Sequence, residues 1–188
     1  HELRTPLNAI LGWTQLLKME KLDDEVSHGL DVIDRNARAQ TRLIEDLLDV
    51  SRINTGKLRL NLKTLNPETV IKSAIDVIQP SAEAKKIQIE FDQNSAAEIL
   101  GDADRLQQVV WNLLSNAVKF TPVGGKILVS LERVDRQIRI RVSDTGQGID
   151  PAFLPYVFDR FRQGDSTSTR SHGGLGIGLT IVRRIAEL

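Results

Sequence analysis

Close to Gly56 the apolar pattern first changes its period, from near 3.6 to 2, and that change divides the chain into a helical first part and a mixed second part. Before it, Leu3, Leu7, Ile10, Thr14 and Leu17 recur three and four residues apart, which predicts one face of a helix. Lys21-Leu22-Asp23-Asp24-Glu25 is a polar break of turn length, and its acidic residues suit the positive end of a following helix. That second helix carries Leu30, Ile33, Ala37, Ile44, Leu47 and Leu48 on its apolar stripe. Two helices on a short turn predict an antiparallel hairpin. A lone hairpin leaves half of its apolar face wet, so it calls for a second copy and a dimeric four-helix bundle.

Beyond Gly56, which suits a helix C-cap, the period falls to two. Leu58, Leu60 and Leu62 alternate with polar residues and predict a half-buried strand. Asn66-Pro67-Glu68 is a cap with proline at the first helical position, opening a helix to about Ala84. Ile87, Ile89 and Phe91 predict a further strand, and Asp104 with Gln107 resembles a capping box for a helix to about Phe120. Strands follow near Ile127–Leu131 and Gln137–Val142, then a short helix near Pro151–Phe158 and a last helix from about Leu175. Strands and helices without strict alternation predict an α+β sandwich with a mixed sheet and helices on one face.

Composition narrows the function. Lys plus Arg and Asp plus Glu are 25 each, so there is no basic footprint for nucleic acid. Cysteine is absent, which excludes thiolate metal sites and redox motifs. No apolar run reaches bilayer length, so any membrane attachment rests on segments upstream. The chain begins on His1 in mid-pattern and is expected to be a piece of something longer.

Four segments carry chemistry. In HELRTPL, His1 points away from the helix core face, and Thr5 lies about 40° from it on the same outer side. Glu2 adjoins it. A solvated surface histidine is the ordinary reading, yet an exposed imidazole beside a carboxylate is also what a nucleophilic histidine requires. In NLLSNAVKFT, Asn112 and Asn116 share a helix face with Lys119; carboxamide oxygens suit Mg²⁺, and a plain polar face is the alternative. Asp144-Thr145-Gly146-Gln147-Gly148 is a tight loop at a strand end, in itself a turn signal. GGLGIGL feeds glycine-rich backbone into a helix start, where free N–H groups face an anion, though a bare flexible loop has the same composition. It is neither a P-loop nor a good dinucleotide fingerprint.

Taken together and in this order, the segments resemble the sensor histidine kinases of two-component signalling. HELRTPL resembles the phosphoacceptor box, NLLSNAVKFT the asparagine box and DTGQGI the first glycine box. FDRFRQ, from Phe158 to Gln163, resembles the phenylalanine box, and GGLGIGL the second glycine box. The run from Phe158 through Gly178 looks most like kinases often found in hybrid architectures. The resemblance implies a dimerisation and histidine-phosphotransfer hairpin over 1–56 and a Bergerat-type (GHKL) ATP-binding domain over 57–188. It implies that His1 accepts the phosphoryl group, Glu2 is its general base and Thr5 orients water in the reverse, phosphatase reaction. Asn116, with help from Asn112, is implied to hold Mg²⁺, Lys119 to attend the phosphates and Asp144 to accept from the adenine amine. Gly146 and Gly148 let the first loop close on the base. Gly174, Gly176 and Gly178 form the hinge and phosphate-facing end of the ATP lid, and Phe120, Leu175 and Leu179 complete the nucleotide contacts. Phe158 and Phe161 are expected to pack the lid.

The implied function is an ATP-dependent protein-histidine kinase core. Its implied partners are a second copy of the chain, a response-regulator receiver domain and an upstream sensor domain. The segment itself is expected on the cytoplasmic side. In the family the first helix begins before the histidine and closing strands follow the last helix, so both ends are expected to be cropped. Two rivals share parts of the pattern. Other Bergerat ATPases have the ATP motifs but no HELRTPL helix, and a pseudokinase dimerisation scaffold has no need of intact Asn116, Asp144 and glycines.

Overall fold

A computed structural model describes residues 4–19, 22–93, 98–135, 137–163 and 175–188. The chain forms two compact units, His1–Leu58 and Arg59–Leu188.

The first unit is a pair of helices, α1 (Arg4–Lys18) and α2 (Asp24–Asn54). Asp23 caps α2, its carboxylate accepting from the Val26 N–H at 2.8 Å, with Asp24 and Glu25 in the first turn. At the far end the Gly56 N–H donates to Ile53 O at 3.1 Å and the Lys57 N–H to Arg52 O at 2.8 Å. Those two bonds make a Schellman motif, which needs the left-handed φ of +63° that Gly56 supplies. Lys18, last in α1, pairs with Asp31 near the start of α2 at 2.8 Å, so the helices run antiparallel. Leu7, Leu30, Ala37 and Val50 are buried with Thr14, whose hydroxyl bonds back to the Ile10 and Leu11 carbonyls. The apolar stripe is wider than this seam: Ile10, Leu17, Ile33 and Leu47 remain 40–46 % exposed. Two helices touch along a narrow strip, and a broader stripe needs further helices to cover it.

The second unit runs β1 (Lys63–Leu65), α3 (Pro67–Ala84), β2 (Gln88–Gln93), β3 (Ile99–Gly101), α4 (Ala103–Phe120), β4 (Lys126–Val134), β5 (Gln137–Asp144) and α5 (Gly178–Glu187). The main sheet has the order β2-β4-β5, with β2 parallel and β5 antiparallel to β4, so it is mixed. Ile127, Val129 and Leu131 of β4 turn one face to Ile71, Ala74, Ile78 and Ala82 of α3 and to Val110, Leu114, Ala117 and Val118 of α4. Period two on the strand and spacings of three and four on the helices put these residues in one layer. Fully burying side chains such as Ile71, Leu114 and Leu131 contributes about 1.5–3 kcal/mol each. This is the helical region followed by an α/β sandwich that the sequence predicts. Asn66 caps α3 by accepting from the Glu68 N–H at 2.9 Å, with Pro67 at the first position, as read.

Four local expectations are corrected. Leu58, Leu60 and Leu62 lie outside any strand; pairing begins only at Lys63, against Gly101 of β3, a strand whose pattern is too short to read. Alternation is not sufficient for a strand where no second strand offers a backbone ladder. The cap of α4 is Asp102, not Asp104: its Oδ1 accepts from the Asp104 and Arg105 N–H groups. The helix near 151–158 is a single 3₁₀ turn, Leu154–Tyr156. The last helix starts at Gly178 rather than Leu175, because Gly176 takes a φ of +66°, incompatible with a continuing right-handed helix.

Candidate functional site

Helix α4 carries Asn112, Asn116, Lys119 and Phe120, spaced so that the first three fall on one side. Asn112 is buried at 6 % exposure, Asn116 and Lys119 are half-buried, and Phe120 is partly exposed. Burial holds the Lys119 ammonium below the ordinary lysine range, and its Nζ sits 4.9 Å from the Phe120 ring centre. A half-desolvated cation of this kind gains from an anionic ligand, which restores the favourable field lost with water.

The end of β5 approaches the end of α4. Asp144 Oδ1 accepts from the Gly146 N–H at 2.8 Å, a local turn that leaves the carboxylate at the surface. A Cβ on Gly146 would lie 2.6 Å from Asp144 Oδ1 and 2.7 Å from the Phe120 carbonyl oxygen, so only glycine lets the two segments meet. Thr145 locks the loop to β4 by accepting from the Lys126 N–H at 2.9 Å and donating its own N–H to Lys126 O. Gly148 follows with a φ of +73°. Between these segments opens a recess of about 440 Å³, lined by Lys119, Phe120, Thr121, Thr145, Gly146 and Gln147 among others. Its size lies in the range of small-molecule sites.

The start of α5 meets α4 further along, at Asn112, and none of its residues lines the recess. Its cap residue, Ile177, makes no side-chain cap hydrogen bond, and the first amides of a helix have no acceptor within the helix itself. Gly178 packs on Asn112: a Cβ there would stand 2.9 Å from Asn112 Oδ1. Asn112 Nδ2 is buried without a hydrogen-bond partner. A buried, unsatisfied amide beside an uncapped helix start is a donor set that fits a phosphate, and the carboxamide oxygens of α4 fit a hard cation held with it. Gly176 lies where a Cβ would meet Arg162 O at 2.6 Å, and its carbonyl accepts from the Phe161 N–H at 3.1 Å.

The structure thus joins Asn112 to Gly178, and Asp144 and Gly146 to Phe120. Leu175 and Leu179 are half-buried, before and within the first turn of α5. Thr5 is exposed on α1. His1, Glu2 and Gly174 lie outside the described residues. Phe158 O and the Phe161 N–H bond to Thr180 and Gly176, Arg183 lies 5.9 Å from the Phe158 ring centre, and the two residues are 41 % and 61 % exposed; the segment they were expected to pack, 164–174, lies outside the described residues. Two residues escaped the sequence reading. Lys85 donates its Nζ to the carbonyls of Val118 (2.8 Å), Lys119 (2.9 Å) and Thr121 (3.2 Å), closing the C-terminus of α4 beneath the recess. Thr180 donates to Phe158 O at 2.7 Å. Their partners lie 33 to 36 and 22 residues away, beyond any local signal.

A helical hairpin joined to an α/β unit whose glycine loops and asparagine helix converge defines a class, the phosphoacceptor hairpin carried with an ATPase fold. Residues 1–56 match the His Kinase A (phospho-acceptor) domain, and residues 101–188 match the family of histidine kinase-, DNA gyrase B-, and HSP90-like ATPases. The chain belongs to the histidine kinase family. It is 40 % identical over 235 residues to hybrid signal transduction histidine kinase D of Dictyostelium discoideum, covering all of this chain and 15 % of that protein. It is 38 % identical to the autoinducer 2 sensor kinase/phosphatase LuxQ of Vibrio vulnificus, again over its whole length and 23 % of the relative. The chain therefore spans less than a quarter of these relatives. Among solved structures, full-length ShkA in complex with AMPPNP superposes with a TM-score of 0.77 at 32 % identity, covering 100 % of this chain and 39 % of that one. The Acinetobacter baumannii histidine kinase AdeS superposes at 0.67 with 26 % identity, covering 98 % and 85 %. Among the described residues no helix is long and apolar enough to cross a membrane.

Proposed function

We propose that this chain is the kinase core of a two-component sensor, with a phosphotransfer hairpin over 1–56 and an ATP-binding domain over 57–188. The observation that carries the reading is the unpaired, buried Asn112 amide packed against the uncapped first turn of α5. Such a pair of donors has no purpose in a sealed core, and an anionic substrate group satisfies both. Asp144, held by the Gly146 N–H, presents an acceptor for the exocyclic amine of adenine. Lys119 attends the phosphates, and Phe120, Gly148, Gly174, Leu175, Gly176 and Leu179 border the nucleotide. A bound Mg²⁺ would neutralise phosphate charge, with the Asn116 carboxamide holding it and Asn112 assisting.

The reaction follows. A ring nitrogen of His1 attacks the γ-phosphorus of ATP, and an N–P bond forms. The bond from phosphorus to the bridging oxygen breaks, ADP leaves with that electron pair, and Glu2 takes the imidazole proton. A receiver-domain aspartate oxygen then attacks the phosphorus; an O–P bond forms, the N–P bond breaks, and the His1 nitrogen leaves with that electron pair and takes up a proton. Thr5 is assigned to orient water in the reverse, phosphatase reaction. Exposed Ile10, Trp13, Leu17, Ile33 and Leu47 support a homodimer through the hairpin. We assign the segment to the cytoplasmic side, where ATP is found, with a sensor domain upstream and any membrane anchor there too.

The test is incubation of a full-length protein with γ-labelled ATP, followed by acid and alkali. Label lost in acid and kept in alkali identifies phosphohistidine; label stable in acid refutes the reading.

A further inference from the structure

We infer that Thr180 is a positioning residue for nucleotide binding: its hydroxyl holds the first turn of α5 in place by bonding to the Phe158 carbonyl. The inference rests on the reading of the α5 start as phosphate-facing. Thr180 is the third residue of α5 and is buried at 6 % exposure. A threonine in a helix commonly bonds back to a carbonyl three or four residues earlier. Thr180 instead donates to Phe158 O at 2.7 Å, 22 residues away in the chain. The Arg183 guanidinium of α5 also lies 5.9 Å from the Phe158 ring centre, and two further contacts join the same segments. The Phe161 N–H donates to Gly176 O at 3.1 Å, and Gly176 at φ +66° packs against the backbone of Arg162. Both of those are backbone contacts. Among the described residues the Thr180 hydroxyl is the side-chain hydrogen bond that ties segment 158–162 to α5.

The geometry makes the consequence specific. Gly178 lies two residues before Thr180 and packs on Asn112, leaving too little space for a Cβ. A rotation of the α5 start would therefore separate its amides from the Asn112 carboxamide. Without the hydroxyl, the start of α5 loses one anchor, and nucleotide binding must supply the ordering. Affinity falls, while chemistry in the bound state is unchanged.

The experiment compares Thr180→Val and Thr180→Ser with the parent chain. Dissociation constants for Mg²⁺-ATP come from calorimetry, and the dependence of autophosphorylation on ATP concentration is followed in a full-length protein. Thr180→Val keeps the shape and removes the donor, so Kd and KM should rise about fivefold to tenfold, the scale of one hydrogen bond. The rate at saturating ATP should stay within about twofold. Thr180→Ser keeps the donor and should restore parent affinity. Parent-like binding by Thr180→Val overturns the inference, as does a loss in Thr180→Ser equal to that in Thr180→Val, which would assign the effect to methyl packing. If Thr180→Val does not fold by circular dichroism, Thr180→Ala against Thr180→Ser decides on the same criterion. A parent chain that binds no Mg²⁺-ATP refutes the phosphate-site reading and the inference with it; parent binding with indifferent variants refutes the inference alone.

Discussion

The Lys85 ammonium lies 2.8 Å from the carbonyl oxygen of Val118 and also bonds the Lys119 and Thr121 carbonyls. A cation thus closes the C-terminal end of the helix that carries Asn112, Asn116 and Lys119, where unpaired carbonyls concentrate negative potential. Lys85→Met keeps the stem and removes the donors. We expect a loss of about 1–3 kcal/mol in urea-induced unfolding, with an Lys85→Arg variant recovering part of it. An unchanged unfolding midpoint in Lys85→Met would show that water caps these carbonyls equally well.

Asp102 serves two segments at once, accepting from the Asn61 N–H through Oδ2 and from Asp104 and Arg105 through Oδ1. Burial pushes its pKa up, but the three backbone donors together with the nearby Arg105 charge outweigh that and hold it below the ordinary 3.8. A carboxylate with a lowered folded pKa contributes stability that is present above 3.8 and lost as pH falls through the folded value. Asp102→Asn retains a capping acceptor but does not titrate. Below about pH 4, its stability should fall less steeply than that of the parent. Equal slopes in a denaturant series at several pH values would contradict this.

Gly146→Ala tests the meeting of the β5 loop with α4. The added methyl would stand 2.6 Å from Asp144 Oδ1 and 2.7 Å from Phe120 O, and the second of these is backbone that cannot rotate away. The loop must shift, taking the Asp144 carboxylate with it. Calorimetry should show ATP affinity reduced by about tenfold or more, the cost of one misplaced polar contact or greater. Parent-like affinity would detach Asp144 from nucleotide recognition.

His1→Gln should abolish autophosphorylation and leave ATP affinity within about twofold, because every proposed nucleotide contact belongs to the other unit. Phosphorylation at another residue in this variant would overturn the assignment of His1.

Glu2→Ala and Thr5→Ala separate the two neighbours of His1. Removing a general base costs roughly 10²-fold or more, so Glu2→Ala should lose the kinase reaction on that scale. Thr5→Ala should retain most kinase activity and lose dephosphorylation of a phosphorylated receiver domain. Paired measurements of autophosphorylation and of receiver decay decide it; equal loss of kinase activity in both variants removes the division of roles.

Local chemistry was legible in the amino-acid order wherever cause and effect lie within a few residues. Asn66-Pro67 opens α3, Gly56 ends α2 through paired i-to-i−5 and i-to-i−3 bonds, and alternation marks β2, β4 and β5. These features depend on φ, on missing donors and on side-chain period, which the chain carries by itself. The order of the asparagine helix, the aspartate loop and the glycine-rich helix start was readable in the same way. Tertiary structure alone decided what those pieces do to one another. The alternation at Leu58, Leu60 and Leu62 formed no strand because, among the described residues, no strand pairs with it, while Lys63–Leu65 found Ile99–Gly101. Asn112 became a buried amide facing Gly178, Lys85 closed a helix 33 to 36 residues away, and Thr180 bonded to Phe158. Each of these pairs meets only after helices and sheet have packed around the Leu114 and Ile127 core, because a hydrogen bond needs its partners within a few tenths of an ångström and sequence spacing imposes no such distance across elements.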